Sequence, residues 1–332
     1  MNLHNDKEAF RYLLTTLSER SGIRADILEK DYYVTLLLKE LSKKQDSVPA
    51  YFKGGTALYK ALGTIRRFSE DIDLTVDITG CSVNQAKKRL ESVSKKYSEL
   101  ARTVNKENEI DKKGSITSIY DYDPIVNVDH NDPLQRFSHV KVEATSFTVS
   151  EPHEINTISS ALWQYSNAEE KMILESNYDM APFDIKTITL ERIFVDKVFA
   201  AEFYYEKQDY LEASKHIYDI AVMCNESRIK KLLDDDTKLS MLISYKRDEE
   251  SRRLGSTLSE MPFEDFTIFE QLENSAFEKE YDRMQRVYVF DEKDMIDFYS
   301  ALDNMRSLKH FFIDQDQTQD IEESETESMQ MV

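Results

Sequence analysis

FKGGTAL, residues 52–58, and SEDIDL, residues 69–74, are the two stretches that decide the fold of this chain. In the first, aromatic residues lead into a pair of glycines, after which apolar residues recur at helical spacing. This order predicts a strand, a tight turn and a helix. In the second, polar and apolar residues alternate as in a half-buried strand. Asp71 and Asp73 should therefore leave the same face of that strand, with their anchors about 7 Å apart.

The two aspartates have the chemistry of a magnesium site. Carboxylates at this separation can share hard divalent cations, which prefer oxygen ligands. The alternative is chance, because a chain with 63 acidic residues among 332 contains many acid-x-acid triplets. The hypothesis is strengthened by the position of the triplet shortly after the glycine pair.

The glycine pair has the chemistry of a phosphate site. Gly54 and Gly55 allow the backbone to approach a ligand closely, and the N–H groups at the start of the following helix favour an anion. Thr56 adds a hydroxyl where we expect the helix cap. The alternative is an ordinary turn between a strand and a helix, with Thr56 as its N-cap.

The acidic composition limits the classes of function. The net charge is -20, and nucleic acids bind chiefly to lysine and arginine, so any nucleic-acid contact must be local. Cys81 and Cys224 are too few for a disulfide framework or a zinc motif, which favours a reducing compartment. No segment approaches the roughly 20 apolar residues needed to cross a bilayer. We expect a cytoplasmic protein without membrane contact.

The order of the elements predicts an α+β fold. N-terminal helices precede the glycine turn, and residues 115–122 and 137–147 have the composition of an antiparallel hairpin with a long connection. From about residue 157 the chain has an almost wholly helical pattern. We therefore expect helices and a sheet core over residues 1–155, a mainly helical domain over 156–313, and an acidic, disordered tail over 314–332.

Local signals place several helix ends. Gly22 separates two N-terminal helices, and Ser82 with Gln85 three residues later has the form of a capping box. Thr189 is a suitable N-cap for a helix over residues 190–207.

The two stretches together, with the preceding arginine at position 67, closely resemble the signature of AbiEii/AbiGii-type nucleotidyltransferase toxins. Residues 29–32, EKDY, resemble the lead-in of many members, and the resemblance spans about residues 24–226. It implies a DNA polymerase beta-like core with a small, mixed, twisted sheet, enclosed by N-terminal helices and followed by a helical C-terminal region.

The resemblance also implies a set of site residues. Gly55 and Thr56 take the place of the Gly-Ser pair that grips the triphosphate, and Asp71 and Asp73 become metal ligands. Glu143, in a Lys-x-acid motif, becomes the third carboxylate, which would help to activate the acceptor hydroxyl and hold one metal. The alternative for this glutamate is an exposed position on an amphipathic strand. The nucleotide-binding set is Lys53, Gly54, Gly55, Thr56, Arg67, Ser69 and Lys197, and the catalytic set is Asp71, Asp73, Glu143, Lys197 and Asp219.

Two helical motifs carry the rest of the resemblance. Lys197 follows an acidic residue and would neutralise charge on the triphosphate, while Asp219 would orient that lysine or a bound water. Lys215 departs from the family pattern, which has arginine there, and lysine cannot make a bidentate guanidinium contact. In the alternative, these residues are solvated charges on amphipathic helices. Arg67 could contact phosphate or form a surface ion pair.

The function implied is transfer of a nucleotide from an NTP to an acceptor hydroxyl, with two Mg²⁺ ions during turnover. The biological context implied is the toxin of a bacterial type IV toxin–antitoxin or abortive infection system, with an antitoxin as partner and tRNA as a candidate acceptor. Two other hypotheses stay open: a nucleotidyltransferase that modifies a protein or small molecule, and a non-catalytic module that binds NTP or a partner. Weak local support for RNA comes from Lys246, Arg247, Arg252 and Arg253, because such a cluster is more often a solvated helix face.

Overall fold

The chain forms two compact units in a computed structural model that describes residues 1–103, 109–112, 114–127, 138–252, 256–270, 272 and 274–330, with only the backbone described over 316–330. The first unit comprises Met1–Gly63 and Phe68–Ile188, and the second comprises Thr64–Arg67 and Thr189–Val332. Within the described ranges, no helix is both long and apolar enough to cross a membrane.

The first unit is built on a mixed sheet that has eight strands among the described residues. The strands are β1 Ala50–Lys53, β2 Ile72–Val76, β3 Ala101–Thr103, β4 Ile110–Lys112, β5 Ser115–Asp121, β6 His139–Thr145, β7 His153–Ile158 and β8 Phe183–Ile188. Their order is β3-β5-β6-β2-β1-β8-β7, with β4 paired to β5. The pairs β2–β6 and β1–β8 are parallel, and the remaining pairs are antiparallel. The predicted hairpin is confirmed as β5 and β6, although residues 128–137 of its connection lie outside the described residues.

Helices cover this sheet. They are α1 Lys7–Ser21, α2 Ala25–Lys44, α3 Gly54–Lys60, α4 Val83–Ser94, α5 Ala161–Tyr165 and α6 Ala168–Tyr178. Helix α2 packs against β6 and β8, and α4 packs against β5 and β6. The capping box is confirmed, because Gln85 N donates to Ser82 Oγ and Ser82 N donates to Gln85 Oε1. Gly22 ends α1 with a φ of 75°, a left-handed conformation that glycine adopts without strain.

Alternation along β6 separates the core from the site. Val140, Val142 and Ala144 are fully buried, whereas Lys141 and Glu143 between them are only partly buried. This is the period of two expected of a strand with one face in the core. The strand therefore presents its lysine and glutamate on the face that carries Asp73 of β2.

The boundary between the units lies later than the sequence pattern indicated. Strand β8 pairs in parallel with β1 and antiparallel with β7, so the chain belongs to the sheet up to Ile188. The expectation of an almost wholly helical chain from about residue 157 is wrong for β8. Its sequence, FDIKTI, alternates apolar and polar residues, but it stands between helical stretches that dominate the pattern.

The second unit is helical, as predicted. Its helices are α7 Leu190–Glu206, α8 Tyr210–Met223, α9 Ser227–Leu233, α10 Asp236–Ser251, α11 Ser275–Tyr288 and α12 Phe298–Gln330. Helix α8 packs against α7, α11 and α12. Thr189 takes the predicted N-cap position of α7, although its hydroxyl makes no capping hydrogen bond. The α+β class, the mixed sheet and the helical C-terminal region are thus confirmed.

Helix α12 continues to Gln330, through most of the tail for which the composition indicated disorder. The tail is rich in Glu and Gln, which have high intrinsic helix propensity. The scarcity of apolar residues indicates disorder, whereas this propensity favours a helix. The backbone from residue 314 to 330 is therefore helical.

Candidate active site

The carboxylates of the first unit are brought together by the pairing of β2 with β6. These parallel strands align Asp73 with Glu143, and Ile72 with Val142. Because side chains alternate along each strand, the aligned Asp73 and Glu143 leave the same face. The register thus places Glu143, the candidate third carboxylate, directly beside Asp73 of β2.

Lys141 bridges two of the three carboxylates, Asp71 and Glu143, which together with Asp73 form the acidic group. Its Nζ lies 2.8 Å from Asp71 Oδ2 and 2.9 Å from Glu143 Oε1. Burial alone would lower the pKa of Lys141, but the charges of Asp71 and Glu143 raise it above its ordinary value. The ammonium group is therefore firmly charged and bonded to both carboxylates.

The glycine turn lies against Asp73. Gly54 has a φ of 79°, and a Cβ added there would overlap the Asp73 carboxylate. Lys53, the residue before the turn, is the register partner of Asp73 across the antiparallel pair β1–β2. Both the backbone conformation and the available space therefore require glycine at position 54.

Thr56 connects the turn to the acidic strand. Its hydroxyl donates to the backbone oxygen of Asp71 at 2.5 Å and lies 3.0 Å from Ser69 Oγ. The expectation that Thr56 caps helix α3 is wrong, because the helix begins at Gly54 and Lys53 occupies the N-cap position. The buried hydroxyl instead ties helix α3 to Asp71, the residue that precedes β2.

The acidic group carries more negative charge than its lysine neutralises. Burial, followed by the charges of Glu143 and Asp71, raises the pKa of Asp73 to about 7, although Lys141 and Lys53 act in the opposite direction. Such a cluster of oxygen donors with surplus negative charge fits a hard divalent cation. Across the described residues there is no preformed group of three or more His, Cys, Asp or Glu side chains with metal-binding geometry. The fit therefore rests on donor chemistry and charge.

The helical site residues of the second unit meet at Asp219. Arg67 Nε and Nη2 each donate to one of its carboxylate oxygens at 2.6 Å, and Lys197 Nζ lies 2.9 Å from Oδ2. All three side chains are buried. Burial favours the neutral form of Asp219, yet the two cations lower its pKa below the ordinary value. The predicted association of Lys197 with Asp219 is present, and these residues are not solvated charges.

Arg67 and Lys215 have contacts that the sequence did not predict. Arg67 is no surface ion pair, because it is 3% exposed and its partner Asp219 is fully buried. Lys215, which stands where the family has arginine, pairs instead with Glu212 at 2.6 Å. The bidentate guanidinium contact to Asp219 thus comes from position 67.

The comparison with known protein families decides the class of protein. The family model described as nucleotidyl transferase AbiEii toxin of a type IV toxin–antitoxin system matches residues 36–305. The chain belongs to this family. It is therefore a nucleotidyltransferase toxin, and the family implies an NTP substrate and an antitoxin partner. Among curated proteins, none matches the chain significantly.

Two solved structures are similar to this AbiEii-family chain over most of their length. MenT4, a nucleotidyltransferase toxin from Mycobacterium tuberculosis H37Rv, is 14% identical with a TM-score of 0.46, and the match covers 89% of this chain and 98% of that one. A protein from H. pylori assigned as a nucleotidyltransferase is 14% identical with a TM-score of 0.36, with coverage of 84% and 92%.

The basic cluster proposed as an RNA contact is engaged within the AbiEii-family chain itself. Lys246 is buried beside Glu249 and Glu250. Arg247 donates to backbone oxygens, including that of Met261 at 2.7 Å, and Arg252 pairs with Asp248. Arg253 lies outside the described residues. Of the described members, Lys246 and Arg247 are thus engaged within the chain, whereas Arg252, with 55% of its side chain exposed, lies on a solvated helix face.

Sequence reasoning missed two contributions to the site of this AbiEii-family chain. One is the bridge made by Lys141, which was visible in the sequence only as part of the Lys-x-acid motif. The other is an ion pair of 2.5 Å between Lys60 of α3 and Asp31 of α2. It holds the C-terminal end of α3, the helix that begins with the glycine turn. Asp31 belongs to the EKDY stretch, so the family lead-in was the available signal for the second.

Proposed function

We propose that this AbiEii-family toxin transfers a nucleotide from an NTP to an acceptor hydroxyl in the bacterial cytoplasm, and that Mg²⁺ held by Asp71, Asp73 and Glu143 is required. The observation that supports the proposal is the register of β2 and β6, which sets Asp73 beside Glu143 at the glycine turn. Oxygen donors concentrated on one face of a sheet are the ligands that this cation prefers.

The three carboxylates have distinct tasks in the proposal. When bound, Mg²⁺ would neutralise charge on the attacking and leaving oxygens of phosphoryl transfer. Asp71 and Asp73 would hold cations, and Glu143 would also accept the proton of the acceptor hydroxyl. Thr56 keeps Asp71 in place through its backbone oxygen, so the geometry of the acidic strand does not depend on ligands alone.

The glycine turn is the proposed triphosphate site. A Cβ at Gly54 would overlap Asp73, and Lys53 adds positive charge next to the turn. The backbone N–H groups of Gly54 and Gly55 would bind phosphate oxygens. Ser69, close to the Thr56 hydroxyl, completes the set on this unit. These residues would bind and orient the NTP.

In the second unit, we propose that Lys197 neutralises phosphate charge. Asp219 fixes its ammonium group at 2.9 Å, and Arg67 holds Asp219 in turn through two hydrogen bonds. A lysine held by a buried carboxylate keeps one rotamer, which preorganises it for an anion. Arg67 is then a positioning residue.

The first acceptor to be tested is tRNA, which the AbiEii resemblance implies. Labelled NTP incubated with cell extract separates the hypotheses, since labelled RNA supports this acceptor and labelled protein or small product supports the other acceptors. NTP binding without any product would support the non-catalytic module.

The decisive experiment combines growth and chemistry. Induced expression of the wild type should arrest growth and label an acceptor, whereas Asp73→Ala should do neither. Asp111→Ala is a matched control, because Asp111 is an exposed aspartate on β4 of the same unit. Arrest that persists undiminished in Asp73→Ala at equal protein levels would contradict the proposal.

A further inference from the structure

Lys141 holds the position that a metal ion would be expected to take between two of the proposed ligands. Its Nζ contacts Asp71 Oδ2 and Glu143 Oε1 at nearly equal distances, 2.8 and 2.9 Å. These are hydrogen-bonded ion-pair distances to both carboxylates at once. The ammonium group and a divalent cation therefore draw on the same oxygen atoms.

The negative charges of the three carboxylates explain why a cation stabilises this site in the absence of metal. Asp73 and Glu143 are aligned in register on two adjacent strands, and Asp71 immediately precedes the first of them. Like charges this close repel one another strongly in a partly buried site. Lys141 supplies one positive charge against three acidic groups, so it reduces the repulsion without removing the surplus.

The side chain of Lys141 has the freedom to leave. It is 33% exposed, and its stem has four methylene groups that can carry the ammonium group into solvent. In contrast, the buried Lys197 and Lys60 have side chains exposed by only 7% and 1%. Lys141 thus differs from Lys197 and Lys60 in having a route outward.

We propose that Lys141 is a tethered cation that holds Asp71 and Glu143 together before a divalent ion binds and is displaced from them when the ion binds. The inference rests on the proposed function, because it takes these carboxylates as the metal ligands. It makes Lys141 a competitor of the metal. A lysine that only stabilised the ligands for metal binding would have the opposite effect on affinity.

The test is a Mn²⁺ titration of the full chain without nucleotide, with free Mn²⁺ measured by electron paramagnetic resonance. Lys141→Met should bind Mn²⁺ at least about tenfold more tightly than the wild type, because one positive charge is removed from beside the ligands. Without metal the variant should unfold at a lower temperature, and saturating Mn²⁺ should raise that temperature by more than in the wild type. Lys141→Gln, which also removes the charge, should behave in the same way and serves if the methionine variant does not fold.

Two control variants isolate the effect. Lys141→Arg keeps the charge and should bind Mn²⁺ within about threefold of the wild type. Lys95→Met removes another lysine that bridges two carboxylates, Glu91 and Asp111, in the same unit, and should leave Mn²⁺ affinity unchanged.

The outcomes separate this inference from the proposed function. If the wild type binds Mn²⁺ and the neutral variants bind it equally or more weakly, the displacement of Lys141 is wrong while the metal site stands. If neither the wild type nor any variant binds Mn²⁺, the metal site itself is wrong, and both proposals are overturned.

Discussion

Asp31 and Lys60 form an ion pair of 2.5 Å in which neither side chain has more than 2% of its surface exposed. Lys60 ends helix α3, whose first residues are the glycine turn, and Asp31 lies in α2. The second carboxylate oxygen of Asp31 accepts a hydrogen bond from Ala161 N at 2.6 Å. One buried carboxylate therefore ties α3 and the start of α5 to α2.

Removal of one partner of this pair should strongly destabilise the first unit. Lys60→Met leaves the Asp31 charge buried with only its backbone partner, and breaking a buried ion pair in this way costs about 3 to 5 kcal/mol. Urea unfolding of the variant and the wild type measures the difference. Lys95→Met, which removes a partly exposed pair, should cost less than about 1 kcal/mol. Equal losses in the two variants would contradict the role given to burial.

A methyl group at Gly54 should disturb the site directly. Gly54→Ala introduces a Cβ that overlaps the Asp73 carboxylate, and it also forces alanine into a left-handed conformation. Gly63 has a φ of 63° with nothing within 4 Å of an added Cβ, so Gly63→Ala carries the conformational strain alone. We expect about 1 kcal/mol of destabilisation at position 63 and about 2 to 4 kcal/mol at position 54.

Activity separates these two glycines further. Labelled-NTP transfer should be lost in Gly54→Ala and largely kept in Gly63→Ala when both are assayed at a temperature where they remain folded. Similar transfer rates in both variants would show that the contact between the turn and Asp73 is unimportant for function.

The sequence could predict those parts of the fold that depend on neighbouring residues. The Ser82 capping box and the alternation of β2 are local patterns, and the structure contains both. The alignment of Glu143 with Asp73 was anticipated through the family motif, not through spacing. Strand β8 was missed because its partner β1 lies far away in sequence and its other partner, β7, is separated from it by two helices.

The contacts that set the electrostatics of the site could not be predicted, because they join residues distant in the chain. Arg67 and Asp219 are 152 residues apart, and no periodicity relates them. Lys141 was visible as a lysine two residues before an acid, but its second contact, with Asp71, depends on the pairing of β2 with β6. A sequence pattern gives the face on which a residue lies and not the partner that it meets there.

Glu29 should make the stability of the first unit depend on pH. Burial raises its pKa to about 7, with a smaller contribution from Asp26, against hydrogen bonds from the N–H groups of Ile125 and Val126. Because the pKa of the folded state is above that of the unfolded state, the folded chain holds the proton more tightly. The resulting stability is fully present below about pH 4.5 and is lost as the pH rises through about 7.

Replacement of Glu29 by glutamine removes this pH-dependent contribution to the free energy of unfolding. The free energy of unfolding of Glu29→Gln, relative to the wild type, should increase by up to about 3 kcal/mol between pH 4.5 and pH 8. The difference between the pKa of Glu29 in the unfolded and folded states corresponds to roughly that free energy. Chemical unfolding at several pH values measures the slope, which is independent of any constant cost of the substitution. Parallel pH curves for the two proteins would contradict the assignment.

Arg67 should be irreplaceable by lysine, although the charge is the same. Its two hydrogen bonds of 2.6 Å to Asp219 require the planar guanidinium group, and lysine can make only a single contact to that carboxylate. Arg67→Lys should therefore destabilise the second unit by about 1 to 3 kcal/mol and lower nucleotide transfer, because Asp219 would orient Lys197 less firmly. Lys215→Arg is the matched control, since Lys215 pairs with the partly exposed Glu212 and should tolerate the change. Loss of transfer in Lys215→Arg, with Arg67→Lys unaffected, would show that position 215 keeps the family's arginine role.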